Sequence, residues 1–207
     1  MKAGKRFAVV GSDARQAAAG RALARAGYAV SGAEQVALAD YILLPLPLDE
    51  SRTPLAELLR AAKPGALALG GRLSVQAKVI AREAGVELID YFARPELTVY
   101  NAIPTAEGCI GILLAERTRT LWGENLLLLG FGPVGQALGV RLAALRPGSL
   151  IVDLASKPGG TDFDAARRLG HKVIHALSLP AVCAPETAGE AVAHTVLTIL
   201  REREERA

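Results

Sequence analysis

The chain reads as an α/β protein of two lobes, each built on a parallel sheet covered by helices. Three observations predict this. Short apolar runs ending in glycine alternate with Ala-rich segments of helical spacing along the 207 residues. Apolar residues make up 51% and aromatics only 4%, so the core is built mainly from Ala, Leu, Val and Ile. A new apolar strand, "NLLLLG", opens after the charged stretch from Glu116 to Glu124, which divides the chain into lobes at 1–118 and 119–207.

The elements follow in order. "RFAVVG" is a buried strand ending at Gly11. "ARQAAAGRALARAG" is a helix that stops at Gly27. "YILLPLPL" begins as a strand, and Pro45 and Pro47 turn it into an extended loop. "TPLAELLRAAKPG" is a helix with Thr53 as N-cap and Pro54 in its first turn. "ALALGG" is a strand, "SVQAKVIAREAG" a helix and "VELIDY" a strand. "RPELTVYNAIPTAEGCIGILLAERT" is a long helix broken or kinked at Pro104, joining the lobes and implying a cleft. The second lobe continues with a helix after "NLLLLG", the strand "SLIVDLAS" and a Gly-rich loop. A helix near Asp162–Leu169, the strand "KVIHAL", a Pro-containing loop and a final helix from about Pro185 complete it.

Net charge is +3, with bases interspersed among acids. That balance argues against a nucleic-acid surface. Two cysteines without metal-ligand spacing indicate a reducing compartment. No run approaches the ~20 apolar residues of a membrane span. The expected location is the cytoplasm, with no membrane partner.

Four segments could carry chemistry. Gly130-Phe131-Gly132-Pro133-Val134-Gly135 follows an apolar strand and opens a helix. Such glycines permit a tight turn, backbone approach to a pyrophosphate and close helix–strand packing. Asp153 lies at the distance where an acidic residue would hold the adenine ribose. In "VVGSDARQ", Ser12 or Asp13 caps a helix whose first turn carries Arg15 and Gln16. A carboxylate could meet amides and guanidinium there; a capped helix with a solvated arginine is the plainer alternative. In "DLASKPGGTD", Ser156 and Lys157 follow a strand end, where parallel sheets place ligands. In "YNAIPTAEG", Asn101, Thr105 and Glu107 either line the cleft or satisfy backbone groups freed at the kink. His171 and His175 fall in a strand with no third ligand nearby, so no metal site is expected.

Taken together, "GSDARQ", "LPLP", "YNAIPTAEG", "GFGPVGQAL", "DLASKPGGTDF" and "LPAVCAPETAG" resemble the dipicolinate synthase A-subunit family over nearly the whole chain. The resemblance implies an N-terminal flavodoxin-like lobe and a C-terminal NAD(P)-binding Rossmann lobe. It implies oxidation of a dihydrodipicolinate-type intermediate to pyridine-2,6-dicarboxylate with NADP or NAD, alongside a flavoprotein-like B subunit. Arg15 and Lys157 would then hold substrate carboxylates, with Ser12, Asp13, Gln16 and Ser156 beside them. Asn101, Thr105 and Glu107 would orient the ring or accept the proton.

One departure from the family stands out. Here "RLAALRPG" runs straight into "SLIVDLAS", where the family has further strands and helices. The Rossmann lobe is therefore shortened, and Asp153 matches a later strand of the family instead of the ribose-binding one. The loss leaves apolar faces for a homo-oligomer to bury. Two other readings stay open: a 2-hydroxyacid-type dehydrogenase, and a non-catalytic binding or assembly subunit that has lost the cofactor.

Overall fold

The structure, a computed structural model, describes residues 4–116, 118, 132–142, 151–153, 163–168 and 173–206. In chain order the elements are β1 (Arg6–Val9), α1 (Ala14–Arg25), β2 (Ala29–Ser31), β3 (Tyr41–Leu43), α2 (Leu55–Ala61), β4 (Leu67–Gly70), α3 (Val75–Glu83) and β5 (Glu87–Asp90). Then come α4 (Pro95–Ala115), α5 (Pro133–Leu142), β6 (Ile151–Asp153), α6 (Phe163–Arg168), β7 (Val173–His175), α7 (Leu179–Cys183) and α8 (Pro185–Glu204). Residues 33–38 and 91–93 form 3₁₀ turns.

The chain forms two compact units, Met1–Thr98 with Pro185–Ala207, and Val99–Ala184. This division differs from the 1–118 and 119–207 lobes expected from the sequence. The final helix, read as part of the second lobe, belongs to the first unit. The reason is packing: Gly189 brings α8 against the backbone of α1, in contact with the Arg15 carbonyl, the Ala18 Cβ and the Ala19 amide. Val192, Val196, Ile199 and Leu200 of α8 then join Phe7, Leu23, Leu43 and Leu69 in one core.

The first unit holds a five-stranded sheet in the order β2-β1-β3-β4-β5, parallel throughout. This is the flavodoxin-like order. β4 is buried at every residue, as a central strand between two helical layers must be. The other face carries α2 and α3, whose Leu55, Leu59, Ala77 and Ala81 pack on Ala8, Ile42 and Ala68. Two features here depart from the sequence reading. β2 is three residues long on an exposed edge and carries little apolar signal. Thr53 does not cap α2: Pro54 occupies the cap position without a side-chain bond, and Thr53 is buried.

In the second unit, β6 and β7 pair in parallel, Ile151 to Val173 and Asp153 to His175. Ala106, Cys109 and Leu113 of α4 pack with Leu138, Ala176 and Leu179. By length and composition α4 would suffice to cross a membrane. Three of its buried residues, Ala106, Cys109 and Leu113, belong to the core of this unit, and Leu97 to the core of the first. Pro104 lies inside α4 without ending it.

Candidate functional sites in the two units

In a 2-1-3-4-5 sheet the strand order reverses between β1 and β3, and ligands bind outside their carboxyl ends. Two of the motifs singled out in the sequence, "GSDARQ" and "LPLP", meet there. β1 runs on to Val10, whose amide bonds the Leu43 carbonyl at 2.8 Å. Gly11 follows with φ +106°, a value that costs glycine little. A Cβ at Gly11 would also press Pro45 Cγ at 3.2 Å. Asp13, and not Ser12, caps α1 by accepting from the Gln16 amide at 2.8 Å.

Arg15 turns under the loop after β3. Its Nη2 donates to the Leu46 carbonyl, next to the cis Leu46–Pro47 peptide. Asp13 flanks it at 3.6 Å. The Arg15 side chain is only 8% exposed, and its Nε has no partner. Gln16 is fully buried and donates through Nε2 to the Val10 carbonyl at 2.8 Å, leaving Oε1 unpartnered. The plainer reading, a solvated arginine, is thus overturned: the guanidinium is a buried cation holding the "LPLP" loop. Asp13, as N-cap, already takes the first-turn amide of Gln16, and the Arg15 Nε is a buried donor without a partner.

Sequence reasoning missed two residues of this region. Tyr91 is buried beside the same loop and donates to the Leu44 carbonyl at 3.2 Å. Burial raises its pKa well above the ordinary phenol range. Asp90, at the end of β5, accepts from the amides of Arg72, Leu73 and Phe92 at 3.1, 3.0 and 2.9 Å. It holds the turn after β4, where Gly71 packs against Leu46 and Tyr91 too closely for any side chain. The Phe92 amide is a local donor, with Asp90 capping the 3₁₀ turn at 91–93, but Arg72 and Leu73 lie 18 and 17 residues away, so no sequence spacing marks their bonds.

The second unit carries the other candidates. Thr105 is half-buried and donates to the Asn101 carbonyl at 2.6 Å. This is the i to i−4 back-bond that a Thr hydroxyl makes inside a helix, one residue past Pro104. Asn101 is half-buried and Glu107 exposed. Gly108 explains the end of the motif: a Cβ there would meet Cys183 Sγ at 2.8 Å and the Leu179 Cβ at 3.3 Å. α7, in the segment expected to be a loop, packs on this glycine.

At the head of α5, the Gln136 amide bonds the Gly132 carbonyl at 2.9 Å. Gly132 is exposed with open space where a Cβ would stand, Pro133 begins the helix, and Gly135 is buried. These residues fit a diphosphate, which needs bare backbone at a helix start. Val134 packs partly buried against the unit's core. Gly130, Phe131, Ser156, Lys157 and His171 lie outside the described residues.

No family model matches the chain. A sequence relative, the dipicolinate synthase A-subunit of Bacillus subtilis (strain 168), is 28% identical over 180 residues. The chain is similar to the dipicolinate synthase A-subunit. That match takes in 59% of this chain and 61% of the relative's sequence. Two solved structures share the fold. The dipicolinate synthase A-subunit from Bacillus halodurans superposes with a TM-score of 0.81 at 22% identity, covering 97% of this chain and 99% of that one. Its counterpart from Bacillus subtilis gives 0.79 at 23% identity, covering 100% and 99%. The α/β architecture, with its flavodoxin-ordered sheet, is thus that of the dipicolinate synthase A-subunits.

Proposed function

We propose that the chain is an oxidoreductase of the dipicolinate synthase type, oxidising a dihydrodipicolinate-type ring to pyridine-2,6-dicarboxylate with NADP or NAD. The likeness to the dipicolinate synthase A-subunits supports this. Within the chain, the observation that carries it is Arg15: a buried guanidinium at the strand-order reversal whose Nε–H has no partner. A substrate carboxylate would supply an acceptor to this cation in addition to Asp13, which flanks it at 3.6 Å. Ser12 and Asp13 stand at the mouth of that turn, with Gln16 beneath. In the second unit, Gly130 to Gly135 would hold the diphosphate of the cofactor. When bound, the nicotinamide supplies the hydride acceptor. Asn101, Glu107, Ser156 and Lys157 are assigned to substrate carboxylates and the departing proton, and Thr105 to holding Asn101. Aromaticity drives the oxidation, so positioning outweighs strong base catalysis. The relatives are named as one subunit of a synthase, which supports a partner subunit; the proposal takes that partner to be flavoprotein-like and adds a homo-oligomeric state and a cytoplasmic setting.

Calorimetric titration tests this reading. NADP⁺ or NAD⁺ should bind in the micromolar range. Pyridine-2,6-dicarboxylate should bind too, and Arg15→Met should weaken it at least tenfold while nucleotide affinity is kept; loss of a hydrogen bond to a charged group has about that effect. A folded protein that takes the dicarboxylate but neither nucleotide at millimolar concentration would sink the oxidoreductase reading. The non-catalytic binding subunit would then replace it.

A further inference from the structure

We infer, resting on the reading of Arg15 above as a carboxylate ligand, that Arg72 is the second cation of that site and selects a diacid over a monoacid. The backbone ties the two arginines to one loop. Arg15 bonds the Leu46 carbonyl. On either side of Leu46, the Gly71 amide donates to the Pro45 carbonyl at 3.3 Å, and the Leu48 amide donates to the Gly71 carbonyl at 2.9 Å. Gly71 is thereby pinned to the loop that Arg15 holds, and a Cβ on it would meet Leu46 Cδ1 at 2.6 Å. Arg72 is the next residue. Arg15 is rooted in α1 and Arg72 in the turn after β4, both at the carboxyl edge of the sheet, where parallel sheets receive ligands.

The conformation of Arg72 is the second observation. Its φ is +59°, in the left-handed region that a Cβ makes costly and that glycine adopts freely. Two glycines precede it, yet this position carries a long cation. Asp90 enforces the turn by accepting from the Arg72 amide at 3.1 Å and the Leu73 amide at 3.0 Å. Residues held in this way against their preference collect at ligand sites. The Arg72 side chain is exposed and makes no ion pair among the described residues. Two carboxylates of the neighbouring turns are engaged elsewhere, Asp90 by backbone amides and Glu50 by the Ser74 hydroxyl. A guanidinium with no acid of its own is open to a ligand's carboxylate. A merely solvated arginine would leave the choice of residue at a left-handed position unexplained.

The test is calorimetry on the intact chain with pyridine-2,6-dicarboxylate and pyridine-2-carboxylate. The parent should bind the diacid roughly tenfold more tightly than the monoacid. Arg72→Met should bring the diacid down to the level of the monoacid and leave the monoacid unchanged. Arg72→Lys should keep part of the preference. Arg72→Gly should lose the preference with an undiminished urea midpoint, because glycine accepts this backbone without strain. Unchanged diacid affinity in Arg72→Met overturns the inference and leaves the Arg15 reading standing. Equal affinity of the parent for the two acids also overturns it. So does a weakening of both acids alike in Arg72→Met, which would mean that Arg72 acts through the loop and not on the second carboxylate. Binding of neither acid by the parent at millimolar concentration removes the Arg15 reading together with the inference.

Discussion

Asp40 shows how much a single carboxylate can be asked to hold. It accepts from Lys5 Nζ at 2.9 Å, the Arg6 amide at 2.8 Å and Lys63 Nζ at 2.8 Å. Burial alone would raise its pKa, but the bonds from Lys63, Lys5 and Arg6 outweigh it and bring the value down to about 2 from the ordinary 3.8. A depressed carboxylate stabilises the fold above its unfolded pKa. That contribution should therefore be complete above about pH 4 and disappear as pH falls through about 2. Urea denaturation between about pH 5 and pH 2 should show the loss in the parent chain and a flatter profile in Asp40→Asn; parallel profiles would show that Asp40 is not the titrating group. Arg15 and Gln16 are the opposite case, with donors and acceptors to spare. The sequence marked their turn as a helix start able to meet a ligand. It did not reveal that Arg15 reaches under Leu46, because that partner lies 31 residues away and no spacing encodes it.

The helices add a second kind of specificity, set by what is missing from a side chain. α1 and α8 approach so closely at Gly189 that a Cβ would stand 2.5 Å from the Ala18 Cβ and 2.7 Å from the Ala19 amide. Backbone cannot yield as a flexible side chain can. Gly189→Ala should cost roughly 2–3 kcal/mol, the range for overpacking a tight contact. Chemical denaturation should show the midpoint falling with an unchanged slope. A loss below about 0.5 kcal/mol, the size of an ordinary surface change, would mean the two helices part freely. Among the described residues, two strands were legible from four apolar residues in a row, in "RFAVVG" and "ALALGG". β2 escaped because an exposed edge strand has no buried face to write in the sequence. α7 escaped because Pro180 and Pro185 read as loop, although one falls in a first helical turn and the other starts the next helix.

The chain leaves the first unit at Thr98 and returns at Pro185, so the second unit is an insertion within the first. Reading the sequence from end to end yields two consecutive lobes, since nothing local distinguishes a helix that goes back from one that goes on. The return is sealed by Arg94, whose guanidinium takes Glu202 at 2.6 and 3.0 Å and Glu96 at 2.7 Å. A fragment of residues 1–98 lacks the apolar cover of α8, and should give no cooperative thermal transition by circular dichroism. Adding a peptide of residues 185–207 should restore one; a cooperative melt from 1–98 alone would show that α8 is dispensable. The same connectivity bears on synthesis. Chains emerge at about 5–20 residues per second. The sheet of the first unit therefore waits on the order of ten seconds, with the apolar patch around Phe7 and Leu69 uncovered, until its last helix leaves the ribosome. The amino-terminal half, first to be made, is among the last to be finished, and a chaperone that shields that patch has its opportunity in this interval.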